Sequence, residues 1–238
     1  KKKYFDYVVN LGGYVDHTNK RKTYLSHYIG VKNLTSFFLN NPPKVFIQFG
    51  SGGEYGNMKS PHKEKIIKKK LKNYYKAKLQ ATLHLLNAYK SSSFPSVILR
   101  LYQAYGKKQE INRLIPIVIK SCLKNKKFAC TNGLQIRDFV HVDDVVSAIF
   151  KTIEKRKIAI GEVFNIGSGK PTSVINIIKK IRNIIGQGTP EFGKIKLRKD
   201  ERNNTFPSIK KANKLLKWRP KVKFSNGIIS TINSYKYL

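Results

Sequence analysis

The sequence predicts an α/β protein built on a parallel sheet, and three observations carry that expectation. Short apolar runs at 7–11, 45–49, 96–101 and 163–166 alternate with longer stretches of helical periodicity, the pattern of strands joined by crossover helices. Glycines mark the loops that leave these runs: Gly12-Gly13, Gly50-Ser51-Gly52-Gly53 and Gly167-Ser168-Gly169. A hydrophobic content of 40% over 238 residues suffices for a sizeable core and is too apolar for a disordered chain.

The first strand spans 7–11 and ends in Gly12-Gly13. A helix over 24–39 follows, with Leu25, Tyr28, Ile29, Val31, Leu34, Phe37 and Phe38 as its apolar positions and Asn41-Pro42-Pro43 as its stop. The second strand, 45–49, leads into a glycine-rich loop, 50–56. A polar stretch, 57–72, precedes a helix that carries Tyr74 and Lys78 and continues through Leu79, Leu83, Leu85, Leu86 and Tyr89. The third strand is 96–101. Beyond Tyr102-Gln103-Ala104-Tyr105-Gly106 the spacing loosens. A helix is expected over 112–124, with Pro116 near its first turn, a short strand over 128–130 and an extended segment over 136–142. Asp143-Asp144 offers an N-cap for a helix to Glu154. A strand over 163–166, a helix to Ile185 capped by Ser173, a short strand over 194–197 and terminal helices over 208–216 and 225–234 complete the reading.

In open α/β sheets, ligands gather outside the carboxyl ends of the strands. Gly12-Gly13, Ser51, Gln103 and the Gly167 loop all fall at such ends. Tyr74-x-x-x-Lys78 follows in the next helix, where residues four apart share a face. A phenol beside an ammonium is a way to make a tyrosine base, because a neighbouring cation favours the phenolate. Ser51 could hydrogen-bond the substrate oxygen that such a tyrosine deprotonates.

The formal charge of +35 would ordinarily suggest nucleic acid. The positive residues are nearly all lysine and are scattered along the chain, and Lys, Asn, Ile, Tyr and Phe all have AT-rich codons. Nucleic acid is therefore not expected as a partner. No apolar run approaches the length of a membrane span, and no apolar segment follows the opening lysines. Cys122 and Cys130 lack metal-ligand spacing and suggest neither a metal site nor a disulfide framework, so a cytoplasmic protein is the expectation.

Five motifs occur in order: Gly50-Ser51-x-x-x-Tyr55-Gly56, Tyr74-x-x-x-Lys78, Arg100-Leu-Tyr-Gln103-x-Tyr105-Gly106, Arg137-Asp138-Phe139-Val140-His141-Val142-Asp143-Asp144, and Phe164-Asn165-Ile166-Gly167-Ser168-Gly169. Together they resemble the NAD-dependent epimerase/dehydratase family of the extended short-chain dehydrogenase/reductase superfamily, which acts on nucleotide sugars. The resemblance covers essentially the whole chain. It implies a Rossmann-type parallel sheet with a small C-terminal α/β substrate-binding domain. Residues 1–106 would be what remains of the NAD-binding domain, and 107–238 the nucleotide-sugar region, with segments around 136–166 returning to the sheet. Tyr74 would be the general acid/base. Lys78 would be its pKa-lowering partner and a donor to the nicotinamide ribose, and Ser51 would complete the catalytic set. Leu11, Gly12 and Gly13 would pass against the cofactor, NAD or alternatively NADP. Gln103, where the family usually has asparagine, and Arg137 and Arg198 would contact the sugar diphosphate, although Arg137 has an intramolecular ion pair with Asp138 or Asp143 as its other reading. Asp143 and Asp144 read as helix capping, His141 as structural, and Trp218-Arg219-Pro220 as packing. A homodimer is implied.

Two departures qualify the resemblance. The glycine-rich fingerprint for the dinucleotide pyrophosphate and the acidic residue for the adenosine ribose are absent. The chain therefore reads as a truncated sheet lacking its first βα units, about 60–80 residues, and as inactive by itself. Second, 4,6-dehydratases of the family carry an Asp-Glu pair directly after the Ser/Thr, where this chain has Gly52-Gly53. An epimerase or 4-ketoreductase is expected over a dehydratase. A non-catalytic relative of the same fold is the further alternative.

Overall fold

A computed structural model describes residues 4–14, 18–65, 71, 73–197 and 201–236. In chain order the elements are β1 (Tyr7–Asn10), α1 (Lys20–Tyr24), a π-helical turn (Leu25–Ile29) running directly into α2 (Gly30–Phe38), β2 (Val45–Ser51), a 3-10 turn (Gly52–Tyr55), α3 (Asn73–Ser92), β3 (Ser96–Leu101) and β4 (Gln103–Tyr105). Then come α4 (Leu114–Leu123), β5 (Lys127–Ala129), β6 (Ile136–Arg137), β7 (Phe139–His141), α5 (Val142–Glu154), α6 (Arg156–Ala159), β8 (Val163–Ile166), β9 (Thr172–Ser173), α7 (Val174–Ile185), β10 (Thr189–Glu191), β11 (Asn204–Thr205), α8 (Lys210–Leu216) and α9 (Phe224–Tyr235).

The main sheet has the order β1-β2-β3-β8, every pair parallel. Its two central strands are buried along nearly their whole length, as strands covered by helices on both faces must be. The two-residue period sorts their side chains. Val45, Ile47, Phe49, Val97 and Leu99 join the core beneath α5, α6 and α8, with Trp218. Phe46 and Ile98 face the other way, into the core beneath α2 and α3. Another core gathers α4, α7 and α9 around Ile119, Ile178 and Ile228, with Cys122 and Cys130 buried as free thiols.

Three expectations are corrected by this architecture. The helix expected over 24–39 begins earlier, at Lys20, because the Asn19 side chain accepts the Lys22 N–H at 3.0 Å and caps it. No strand forms at 194–197, where Ile195 is half exposed and its N–H donates to the Cys130 carbonyl at 3.1 Å without extending a ladder. The strand lies instead at β10, which pairs with β5 at a two-stranded edge that tolerates Pro190. The cap of α5 is His141, whose Nδ1 accepts the Asp143 N–H at 3.3 Å. Asp144 is committed elsewhere, accepting the backbone N–H groups of Lys221 and Val222 at 2.7 and 3.1 Å. It thereby docks the chain beyond Trp218, whose indole N–H donates to the Asp144 carbonyl and to Ser147 Oγ.

Candidate active site

Parallel strands deliver their carboxyl ends to one edge of the sheet, and Ser51, Tyr74 and Lys78 lie there. Ser51 is the last residue of β2 and the N-cap of the 3-10 turn. Its hydroxyl oxygen accepts the Gly53 N–H at 3.1 Å, and its own N–H donates to Glu54 Oε1 at 2.7 Å, a reciprocal capping box. The first turns of α3 bring Tyr74 and Lys78 over this loop. The Ser51 side chain lies near enough to the Tyr74 phenol to hold its pKa down against burial. Lys78 Nζ stands 6.0 Å from the Tyr74 ring centroid and donates to the Phe49 carbonyl at 2.8 Å.

The electrostatics are dominated by burial. It pushes the Tyr74 phenol up to about 12, with the Ser51 hydrogen bond pulling the other way, and it lowers Lys78 to about 8, opposed by the Glu54 charge. The phenol is therefore protonated at neutral pH. An ammonium held back by burial and bound to a carbonyl does not bring the phenol to the low value that the Tyr-x-x-x-Lys spacing suggests.

At the end of β1, Leu11 is exposed, and Gly12 and Gly13 border a groove of about 500 Å³ against α2. A Cβ on Gly13 would fall 2.1 Å from the His27 ring. That ring in turn packs edge-on against Tyr74, with centroids 5.0 Å apart, so His27 links the strand-end loop to α3. Gln103 opens β4 with its side chain exposed. Arg137, almost fully buried, donates to the carbonyls of Ile136 and Asn203 and pairs with the Glu201 carboxylate. Its ion-pair partner is thus neither Asp138 nor Asp143. Arg198 lies outside the described residues. Of the polar stretch 57–72, residues 57–65 and 71 are described.

Several residues of this region were not singled out by the sequence. Arg202 stacks on Tyr75, 4.8 Å from the ring centroid, and donates to the Gly53 carbonyl at 3.3 Å. Tyr75 and Tyr102 close the space beside the glycines: a Cβ at Gly53 would lie 2.0 Å from the Tyr75 ring, and one at Gly52 2.8 Å from the Tyr102 ring. Glu54 is fully buried against Arg100 at 2.9 Å. The Ser51-x-x-Glu54 spacing, that of a capping box, was the available signal for it. Among the described residues no group of three His, Cys, Asp or Glu side chains is placed to hold a metal, and no helix is long and apolar enough to cross a membrane.

A parallel sheet covered on both faces, with a tyrosine, a lysine and a serine gathered at its carboxyl edge, defines a Rossmann-type α/β fold. The model of the NAD dependent epimerase/dehydratase family matches residues 1–167, and the chain belongs to that family. It is 29% identical over 222 residues to dTDP-D-glucose 4,6-dehydratase of Homo sapiens, covering 90% of this chain and 62% of the human protein. Among solved structures it resembles the epimerase Mth375 of Methanothermobacter thermautotrophicus, with a TM-score of 0.90, 24% identity, and 98% of this chain and 72% of that one covered. It also resembles UDP-glucuronic acid 4-epimerase of Bacillus cereus, in complex with UDP-glucuronic acid and NAD, with a TM-score of 0.89, 27% identity, and 98% and 76% covered. The chain thus spans less than two thirds of the length of the human relative.

Proposed function

We propose that this chain is the catalytic and nucleotide-sugar-binding part of an NAD-dependent nucleotide-sugar epimerase or 4-ketoreductase. One observation carries the choice within the family. Ser51, Tyr74 and Lys78 meet at the sheet edge, while the two positions after Ser51 are glycines whose side-chain space is filled by Tyr102 and Tyr75. Elimination of water needs an acid and a base at that place, and neither glycine supplies one. Glu54, one position along, is locked in a buried ion pair and cannot reach substrate. The 4,6-dehydratase reading is favoured by the likeness to the human enzyme and opposed by this local chemistry. A non-catalytic relative would have no need to keep all three polar side chains at one strand end.

Tyr74 exchanges a proton with the oxygen of the reacting sugar carbon, as a protonated phenol giving it to a keto group or as a phenolate taking it from a hydroxyl. Ser51 holds the same oxygen through its hydroxyl, and Lys78 places a positive charge beside the phenol. Gln103, Arg137 and Arg198 take the sugar diphosphate, Arg137 by exchanging its Glu201 partner for the phosphate. Arginine suits that task because its planar fork pairs phosphate oxygens two at a time. NAD, or NADP in its place, supplies hydride acceptance and return at the sugar carbon. The donor set fits the nicotinamide end of that cofactor. Lys78 and Tyr74 stand at one strand end, and at the next, beside Leu11, Gly12 and Gly13 line a groove that two glycines leave without side chains. Residues 1–106 act as the cofactor-side unit and 107–238 as the sugar side, in a cytoplasmic homodimer.

Tyr74→Phe tests the proposal, measured with the chain joined to the glycine-rich first units of a relative. Turnover of nucleotide sugars should fall at least about a thousandfold, with binding of the sugar nucleotide by calorimetry unchanged. Turnover at the parent rate would reject Tyr74 as the proton-transfer group.

A further inference from the structure

Glu54 makes more contacts with the candidate site than any feature of its sequence position suggests. It has no exposed surface. Oε1 accepts the Ser51 N–H at 2.7 Å. Oε2 accepts from Thr82 Oγ1 and from Arg100 Nε, both at 2.9 Å. One carboxylate therefore joins the end of β2, the second turn of α3 beyond Tyr74, and β3. The surroundings are shaped to it. A Cβ on Gly50 would come within 2.5 Å of Oε1, so that position is free of a side chain where the carboxylate passes. The Arg100 guanidinium lies 4.6 Å from the Tyr55 ring centroid, held from its other side. A buried carboxylate is tolerated only when its oxygens are satisfied and its charge is met; here both conditions hold.

We infer that Glu54 is a positioning residue of the active site, fixing Ser51 through its backbone N–H and the Lys78-bearing helix through Thr82, with Arg100 holding the carboxylate in place. This rests on reading Ser51, Tyr74 and Lys78 as the reacting set. Ser51 cannot rotate with its loop, because its N–H is tied to Oε1 while its own Oγ is tied to Gly53. Thr82 lies one helical turn beyond Lys78 on the same face, so anchoring Thr82 sets the distance between Lys78 and the β2 end. The carboxylate also supplies the negative charge that opposes the effect of burial on Lys78.

The test is a proton titration of Lys78 in the 238-residue chain, read by NMR of lysine side chains. In the unmodified protein the midpoint is expected near pH 8. In Glu54→Gln, which keeps the shape and removes the charge, it should fall by about one pH unit, because the ammonium loses its nearby anion. That variant leaves Arg100 buried without a counter-charge, so Glu54→Gln/Arg100→Met is measured beside it and should show the same fall. A Lys78 midpoint that stays put in either folded variant overturns the inference. The unmodified chain gives an independent reading: the Ser51 amide proton should lie far downfield and exchange slowly, and a fast-exchanging amide overturns the inference even where both variants unfold. The two proposals fail separately. A midpoint that moves while Tyr74→Phe retains turnover removes the proposed function and leaves the contact standing. A fixed midpoint with Tyr74→Phe inactive removes only the role of Glu54.

Discussion

Lys78 shows how the site sets chemistry against stability. Its ordinary pKa of 10.5 falls to about 8 in the folded chain. A group whose folded value lies below its unfolded one costs stability in its charged range. The cost is full below pH 8, shrinks between pH 8 and 10.5 and vanishes above. Its upper bound is roughly 3 kcal/mol. Lys78→Met should therefore stabilise the protein by about 2 kcal/mol at pH 7, allowing for the lost hydrogen bond. The Phe49 carbonyl would keep a partner, since Gln48 Nε2 also donates to it at 2.9 Å. Thermal unfolding at pH 7 and at pH 9.5 checks this: the gain should be smaller at the higher pH, and equal gains at both would contradict the burial argument. The sequence announced Tyr74 and Lys78 through their spacing. It could not announce the direction of the phenol's shift, because that depends on how much of the helix start is covered by β2 and the loops around it. Arg137 was legible as a phosphate-type or ion-paired arginine, but its partner Glu201 was not, because 64 residues separate the two and only the pairing of β11 with β6 brings them together.

At the scale of the element, the loop after β2 decides what chemistry the site can host. Glycine at 52 and 53 reads in sequence only as a missing acid pair. The structure adds that the space is occupied. Gly53→Glu should destabilise the chain by about 2 kcal/mol or more, since a Cβ there lies 2.0 Å from the Tyr75 ring. Tyr75→Ala should relieve most of that cost, although it also removes the stacking of Arg202. A double-mutant cycle by urea unfolding measures the coupling, and additive effects would show that Tyr75 is not the obstacle. Strands and long helices were legible because periodicity and burial agree in them: β2, β3 and β8 are near-continuous apolar runs. Two- and three-residue strands such as β9, β10 and β11 were not, since only pairing with a distant segment makes them strands. The π-helical turn likewise leaves no signature in side-chain pattern.

At the scale of the whole molecule, two faces of the sheet feed two cores and a further core lies beneath α7, yet the cofactor chemistry is only half provided for. The residues proposed for the nicotinamide end of NAD are in the chain, and a glycine-rich fingerprint for the pyrophosphate is not. The 238 residues alone should bind NAD weakly; a submicromolar Kd by calorimetry would contradict this. The order of the motifs made the family legible from sequence, since every motif lies at a strand end or on the helix that follows one.

Strand β1 is an outer strand of the main sheet, paired through β2 alone among the described residues. An outer strand presents backbone donors and acceptors on which another copy could build, and proteins guard such edges with charge. Here the charge is global, +35 over the chain. It makes colloidal repulsion between copies the guard, and that guard is set by the solvent. Raising salt from about 0.05 M to 1 M shrinks the screening length to about 3 Å. Light scattering should then report growing association at high salt and dispersed particles at low salt, the reverse of what charge-driven binding to an anionic partner would give.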